Sequence, residues 1–92
     1  MLSQLPLNLG KVDKKSIDKE ILRLGMIAEL DAVSLYEQLA AMTQNKKIKE
    51  VMLDIAREEK THVGEFQALL LEIDKEQVTE LEKGRKEVEE LA

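Results

Sequence analysis

The chain has 92 residues, a formal net charge of −5 and no cysteine. These values allow one small domain and exclude a disulfide framework, a cysteine zinc site and a thiol nucleophile. The acidic balance argues against nucleic acid or an anionic membrane as the main partner, and no segment is apolar and long enough to span a bilayer.

The composition predicts an all-α fold. Hydrophobic residues make up 43% of the chain and aromatic residues 2%, so the core consists of aliphatic side chains, which suits packed helices. Four Gly and one Pro argue against a turn-rich β-sandwich or barrel. Pro6 and Gly10 occur without helical periodicity, which predicts an extended arm over 1–15 and a helical domain over 16–92.

The first predicted helix covers residues 17–42. Ser16 predicts a side-chain N-cap, and Asp18 places an acid in the first turn. Apolar residues then recur at spacings of three and four: Ile21, Leu22, Met26, Ala32, Val33, Tyr36, Leu39 and Ala40. The polar run 43–45 predicts a tight connection.

A second helix is predicted over 46–73, and a third, shorter helix with Asp74 as its cap. The short connection makes the two long helices an antiparallel hairpin. The first helix also carries apolar residues off its inward stripe, namely Leu24, Ile27, Leu30 and Leu35. Because one hairpin cannot cover them, we expect two hairpins to associate into a four-helix bundle.

Three polar residues interrupt the apolar stripes. Glu59 and His62 are spaced i, i+3 on the second helix, so both leave the same face. Glu29 lies on the inward stripe of the first helix, and Gly25, one turn earlier, would let a neighbouring backbone approach closely. A buried carboxylate without a partner costs several kcal/mol, and no Lys or Arg occupies the nearby inward positions.

This pattern predicts a metal site shared between two chains. Two chains supply two single Glu and two Glu-x-x-His pairs, the ligand set of carboxylate-bridged di-iron bundles. Oxygen-rich ligation with one imidazole per metal favours Fe or Mn. Each feature also has an explanation without metal: the Glu-x-x-His pair is a chance motif, His62 is a hydrogen-bonded packing residue, and Glu29 is a salt-bridged acid at an interface. Tyr36, two turns after Glu29, is either a core aromatic or a hydrogen-bond donor beside the site.

Two segments, AELDAVSLYEQLA over 28–40 and EEKTHVGEF over 58–66, resemble the encapsulated ferritins. These are half-size ferritin-like proteins held inside encapsulin nanocompartments in the cytoplasm. The resemblance implies a ferroxidase with Glu29, Glu59 and His62 as iron ligands, two irons per dimer and a decameric ring of five dimers. Spacing leaves open whether Glu29 or Glu59 bridges the two metals, and the resemblance favours Glu59 and His62 as the chelating pair and Glu29 as the bridge or second carboxylate.

The resemblance further implies an encapsulin shell protein as the partner that stores the ferric product. Members of the family often carry acids one residue before and two after the first ligand as an iron entry site. Here these positions hold Ala28 and Asp31, so Asp31 is half of that site. A shell-docking peptide beyond residue 92 and fusion to a shell protein both stay open.

Two other functions fit the same residues. One is a non-catalytic helical oligomerisation module in which the inward acids only set the register of the dimer. The other is a rubrerythrin-like or manganese-catalase-like protein that handles peroxide at two metals. The absence of a cysteine cluster to feed electrons counts against the rubrerythrin-like form.

Overall fold

All three predicted helices are present in a computed structural model of the chain, which describes residues 10, 13–14 and 16–91. Helix α1 spans Ile17–Met42, α2 spans Lys46–Ile73 and α3 spans Lys75–Glu89. The described residues contain no strand, so the all-α prediction is confirmed. None of the helices in this part of the chain is long and apolar enough to cross a membrane. The arm predicted over 1–15 lies mostly outside the described residues.

The helix ends follow capping chemistry at two of three N-termini. The side chains of Asn45 and Asp74 accept hydrogen bonds from the backbone N–H groups of Ile48 and Gln77, at 3.1 and 3.0 Å. The predicted side-chain cap at Ser16 is wrong. Ser16 has φ −107° and ψ −1°, whereas a capping residue needs an extended backbone to turn its oxygen toward the helix.

Helices α1 and α2 form the predicted antiparallel hairpin. Gly25 packs against Phe66, and four residues further along α1 Glu29 lies beside His62, four residues earlier on α2. As numbers rise on one helix they fall on the other, which defines the antiparallel register. Small and medium aliphatic side chains form the core, and the buried apolar residues are Leu24, Val33, Ala40, Ala56 and Leu70.

Helix α3 projects sideways from the end of the hairpin. The molecule measures 47 × 43 × 20 Å. The hairpin, about 40 Å long and one helix thick, accounts for the dimensions of 47 and 20 Å. Helix α3, about 22 Å long, adds to the width of the hairpin and accounts for the dimension of 43 Å. None of the residues of α3 is buried.

An apolar groove of about 370 Å³ lies at the corner between the three helices. Ile27, Leu30 and Leu81 line it and are 37%, 54% and 41% exposed. Leu24, expected with them off the inward stripe, is instead buried at 8% exposure. A single chain therefore leaves a large apolar surface in water, as the sequence predicted, although less of α1 is exposed than expected.

Gly25 makes a notch for an aromatic ring. A Cβ atom at this position would lie 3.2–3.3 Å from three atoms of the Phe66 ring. The close neighbour is thus a side chain of α2, and the expected close approach of a backbone is wrong. Phe66 is the only phenylalanine in the chain, and no smaller aliphatic residue would need this notch.

We expect Gly25→Ala to be less stable than Gly64→Ala. Both glycines are inside helices, where alanine gains about 1 kcal/mol of helix propensity. A Cβ atom at Gly64 meets nothing within 4 Å, whereas at Gly25 it crowds Phe66 and adds an overpacking cost of about 1–3 kcal/mol. Urea unfolding of both variants measures the difference, and equal stabilisation by the two would contradict the notch.

Asp74 ties the three helices together at the end of the hairpin. It ends α2, caps α3 and accepts a hydrogen bond from Arg23 Nη2 of α1 at 3.1 Å, and it is 6% exposed. The backbone N–H of Gln77 is the main cause that holds the pKa of Asp74 below its ordinary value of 3.8. Burial opposes this effect, and the charges of Lys19 and Arg23 and the hydrogen bond from Arg23 add to it, so that together the lowering effects on the pKa exceed that of burial.

The ionised Asp74 should therefore stabilise the fold above pH 3.8 and lose this effect as the pH falls through the lower pKa of the folded state. Asp74→Asn keeps a good cap and removes the charge. We expect its Tm to lie below that of the wild type at pH 6 and the gap to close toward pH 3, measured by circular dichroism. Asp54→Asn, which removes an exposed ion pair within α2, is the control. A gap that is constant with pH would rule out the role of the charge.

Candidate metal centre

Glu29, Glu59 and His62 lie together at the middle of the hairpin. The Nδ1 atom of His62 is 3.4 Å from Glu29 Oε2 on the facing helix and 3.5 Å from Glu59 Oε2 one turn earlier on its own helix. One donor atom from each residue falls within 4.8 Å of the others. Among the described residues this is the only group of three or more such side chains that could hold a metal ion.

The site has an excess of negative charge and an unsatisfied oxygen. The side chains of Glu29 and Glu59 are 20% and 19% exposed, and in the described part of the chain no Lys or Arg lies within 4 Å of either. The buried Oε2 atom of Glu29 has no hydrogen-bond partner. A buried carboxylate oxygen in this state is destabilising unless a cation or a proton reaches it.

The nearest lysine is directed elsewhere. Lys60 follows Glu59 directly, but its ammonium group pairs with Glu37 of α1 at 3.1 Å, where both side chains are about half exposed. Glu58, on the other side of Glu59, is also exposed. The two charges that flank Glu59 therefore face solvent while Glu59 turns inward, and no amino group of the described residues is left to neutralise the site.

The site opens to the surface on the side of His62, which is 44% exposed. Three apolar residues of α2 continue this side of the helix: Val51, Leu69 and Ile73, each within about 20° of His62 around the helix axis. They are 53%, 49% and 45% exposed. An apolar stripe with a half-exposed candidate ligand at its centre is typical of a surface that another chain covers.

Two residues singled out from the sequence lie outside the cluster. Tyr36 is half-buried on α1, two turns after Glu29, and its hydroxyl makes no hydrogen bond with the described residues. Asp31 follows Glu29 by two residues, about 200° around the helix, and is 7% exposed. Their roles beside the site and in iron entry stay predictions.

The sequence analysis missed one neighbour of the site. The other ring nitrogen of His62, Nε2, lies 3.9 Å from Oε1 of Glu65, which is one turn further along α2 and 65% exposed. The i, i+3 spacing that linked Glu59 to His62 also links His62 to Glu65, and it would have revealed the contact. His62 is therefore flanked by carboxylates at both nitrogens.

The donors suit iron or manganese. Carboxylate oxygens together with one imidazole, without thiolate, bind these metals in proteins. One chain offers three donor residues, fewer than the octahedral coordination such ions usually adopt, and leaves further positions for water, oxidant or a second chain. The unsatisfied Glu29 oxygen is a free acceptor for such a cation.

Comparison with known proteins places the chain in a family. The rubrerythrin family model matches residues 20–92. The crystal structure of the encapsulated ferritin domain from Pyrococcus furiosus superposes with a TM-score of 0.85 at 53% identity, covering 100% of this chain and 96% of that chain.

Two curated relatives are longer than this chain. A ferritin-like–encapsulin shell fusion protein of Pyrococcus furiosus is 55% identical over 99% of the chain, and an encapsulin nanocompartment cargo protein of Myxococcus xanthus is 35% identical over 72% of it. The matches span 27% and 53% of the lengths of those proteins. Sequence, fold and relatives agree: the chain belongs to the rubrerythrin family, among its encapsulin-associated ferritin-like members.

Proposed function

We propose that this domain is a ferroxidase, which oxidises Fe(II) to Fe(III) at a two-iron site formed between two copies of the chain. The observation that carries the proposal is the buried, unpartnered Glu29 oxygen beside Glu59 and His62. A metal cation supplies what that oxygen lacks. Iron is the substrate in this proposal, in keeping with the similarity to an encapsulated ferritin domain.

A second copy completes the site. Each chain contributes two carboxylates and one imidazole, so a two-fold pair contributes four carboxylates and two imidazoles. This is the ligand set of the carboxylate-bridged bundles. The four negative charges balance two Fe(II) ions, and the exposed stripe of Val51, Leu69 and Ile73 supplies apolar surface for the contact around them.

The three residues have different roles in the proposed site. Glu59 and His62 leave the same helix one turn apart and would chelate one ion, and Glu29, which reaches across from α1, would be the bridge that the family resemblance favours. Negative ligands stabilise Fe(III) more than Fe(II), which favours the loss of an electron from each ion. The two electrons reduce dioxygen with two protons to hydrogen peroxide, or reduce hydrogen peroxide with two protons to two waters.

The shell is the proposed destination of the product. One curated relative is named as a fusion to an encapsulin shell and another as an encapsulin cargo protein. We infer that this domain works in an encapsulin nanocompartment in the cytoplasm, in the ten-subunit ring that the family resemblance implies. The ferric product would then be stored by the shell.

A peroxide-handling protein is the second candidate, because the family model that matches the chain is described as rubrerythrin. The same donors would then serve two iron or manganese ions, with peroxide as the substrate instead of iron. The two candidates differ in their substrate. A ferroxidase turns over added Fe(II), whereas a peroxide-handling protein turns over peroxide and keeps its metal ions bound.

Oxidation of Fe(II) should depend on the cluster and not on its neighbours. We expect wild type to form ferric absorbance faster than buffer, and His62→Ala and Glu59→Gln to lose at least about 90% of that excess rate, because metal ligands are removed. Glu58→Gln, the same change one residue away on the exposed side, is the control and should keep the rate. Stopped-flow absorbance, with dioxygen or peroxide as the oxidant, measures the rates of the wild type, the two variants and the control.

Unchanged oxidation by His62→Ala would contradict the ferroxidase. Catalytic loss of peroxide without added Fe(II) would favour the second candidate.

Assembly and iron binding should be linked. Because the site lies between chains, Fe(II) should increase the dimeric and larger species and bind at about one ion per chain, measured by anaerobic native mass spectrometry. Glu29→Gln should reduce the bound iron. A non-catalytic module makes the opposite prediction: a chelator leaves the assembly unchanged, and Glu29→Gln stabilises it by removing a buried charge.

A further inference from the structure

The two nitrogens of His62 face different carboxylates. Nδ1 points into the cluster, 3.4 Å from Glu29 and 3.5 Å from Glu59, whereas Nε2 points outward, 3.9 Å from Oε1 of Glu65. Only Nδ1 is placed among the other donor atoms. If His62 binds iron, it therefore binds through Nδ1, and this nitrogen must carry a lone pair and no proton.

We propose that Glu65 is a positioning residue, whose carboxylate accepts a hydrogen bond from the Nε2–H group of His62 and holds the ring ready to bind metal through Nδ1. This inference rests on the proposed function of the cluster. A neutral imidazole has one N–H group, and with Nδ1 bound to metal this group is on Nε2. A carboxylate at Nε2 fixes that tautomer, restricts rotation of the ring and makes Nδ1 a stronger ligand.

The present distance requires only a small movement. At 3.9 Å the two atoms are within ion-pair range but about 1 Å longer than a hydrogen bond. Glu65 is 65% exposed, so its side chain can rotate toward the ring without moving the backbone or displacing a packed neighbour. The i, i+3 spacing on a continuous helix keeps the two side chains adjacent throughout.

No other charged group in the described residues competes for Glu65. No Lys or Arg of that part of the chain lies within 4 Å of it, and His62 is its ion-pair neighbour. The positions one turn away on α2, Thr61, Ala68 and Leu69, carry no positive charge. Four exposed acids of α2 and α3, Asp54, Glu80, Glu82 and Glu89, pair instead with a basic residue of their own helix. The placement of Glu65 is thus explained by the ring beside it.

Metal affinity of the full chain tests the proposal. We expect Glu65→Ala to weaken binding of Zn(II), and of Fe(II) without oxygen, by about tenfold in titration calorimetry, the lower end of the range for such partners because Glu65 is exposed. Glu65→Gln keeps an acceptor oxygen and should bind within about threefold of wild type. Glu72→Ala, which removes an exposed acid two turns along the same helix, controls for net charge and should not change the affinity.

Nuclear magnetic resonance gives a readout that charge or stability alone would not move. His62 is the only histidine in the sequence, so all imidazole signals of the ¹⁵N-labelled protein belong to this residue. In the Zn(II)-loaded wild type we expect Nδ1 to carry the metal and an Nε2–H proton protected from exchange. Glu65→Ala should lose the protection and Glu65→Gln should keep it.

Wild-type affinity and Nε2–H protection in Glu65→Ala would overturn the positioning role while leaving the ferroxidase standing. Metal found on Nε2 would overturn it as well. If the wild type itself binds neither Zn(II) nor Fe(II), the proposed function fails, and this inference fails with it.

Discussion

Two carboxylates held next to each other away from water are the constraint on which this hairpin depends. Glu29 and Glu59 are each about four-fifths buried, with one imidazole between them and no amino or guanidinium group within 4 Å in the described residues. Desolvation and mutual repulsion both oppose this arrangement. The hairpin folds despite it because helix formation and aliphatic packing on either side are sufficient, which leaves the acids available for a ligand from outside.

The register that brings the acids together is set one turn away. Phe66 fits against Gly25, and Glu29 and His62 are each four residues from that contact, on the side nearer the connection between the helices. A slip of α1 against α2 would have to remove the ring from its notch, so an apolar contact fixes the polar one. The residues that stabilise the hairpin by packing are therefore not the residues that carry the charges of the site, and the two groups lie on neighbouring turns.

Sequence periodicity was sufficient for the helices and for most of the site. The three helices, the break at 43–45 and the cap at Asp74 follow from local rules of spacing and capping, and Glu29, Glu59 and His62 stood out because polar residues on an apolar stripe need an explanation. That Ser16 does not form its predicted cap could not be foreseen, because a cap depends on backbone angles as well as on residue type. The partner of Gly25 and the direction of α3 depend on tertiary contacts between residues far apart in the chain, which a pattern within one helix does not contain.

A single hairpin leaves the cluster open on one side. A full four-helix bundle encloses its metal-binding acids on all sides, whereas one hairpin can cover them only from the side on which its own two helices meet. His62 remains 44% exposed for this reason, and the stripe of Val51, Leu69 and Ile73 lies in water beside it. In the proposed dimer the same contact covers the stripe, supplies the missing ligands and lets two metal ions balance four acids. Hydrophobic burial and charge neutralisation would then favour association together, and neither would be complete in a single chain.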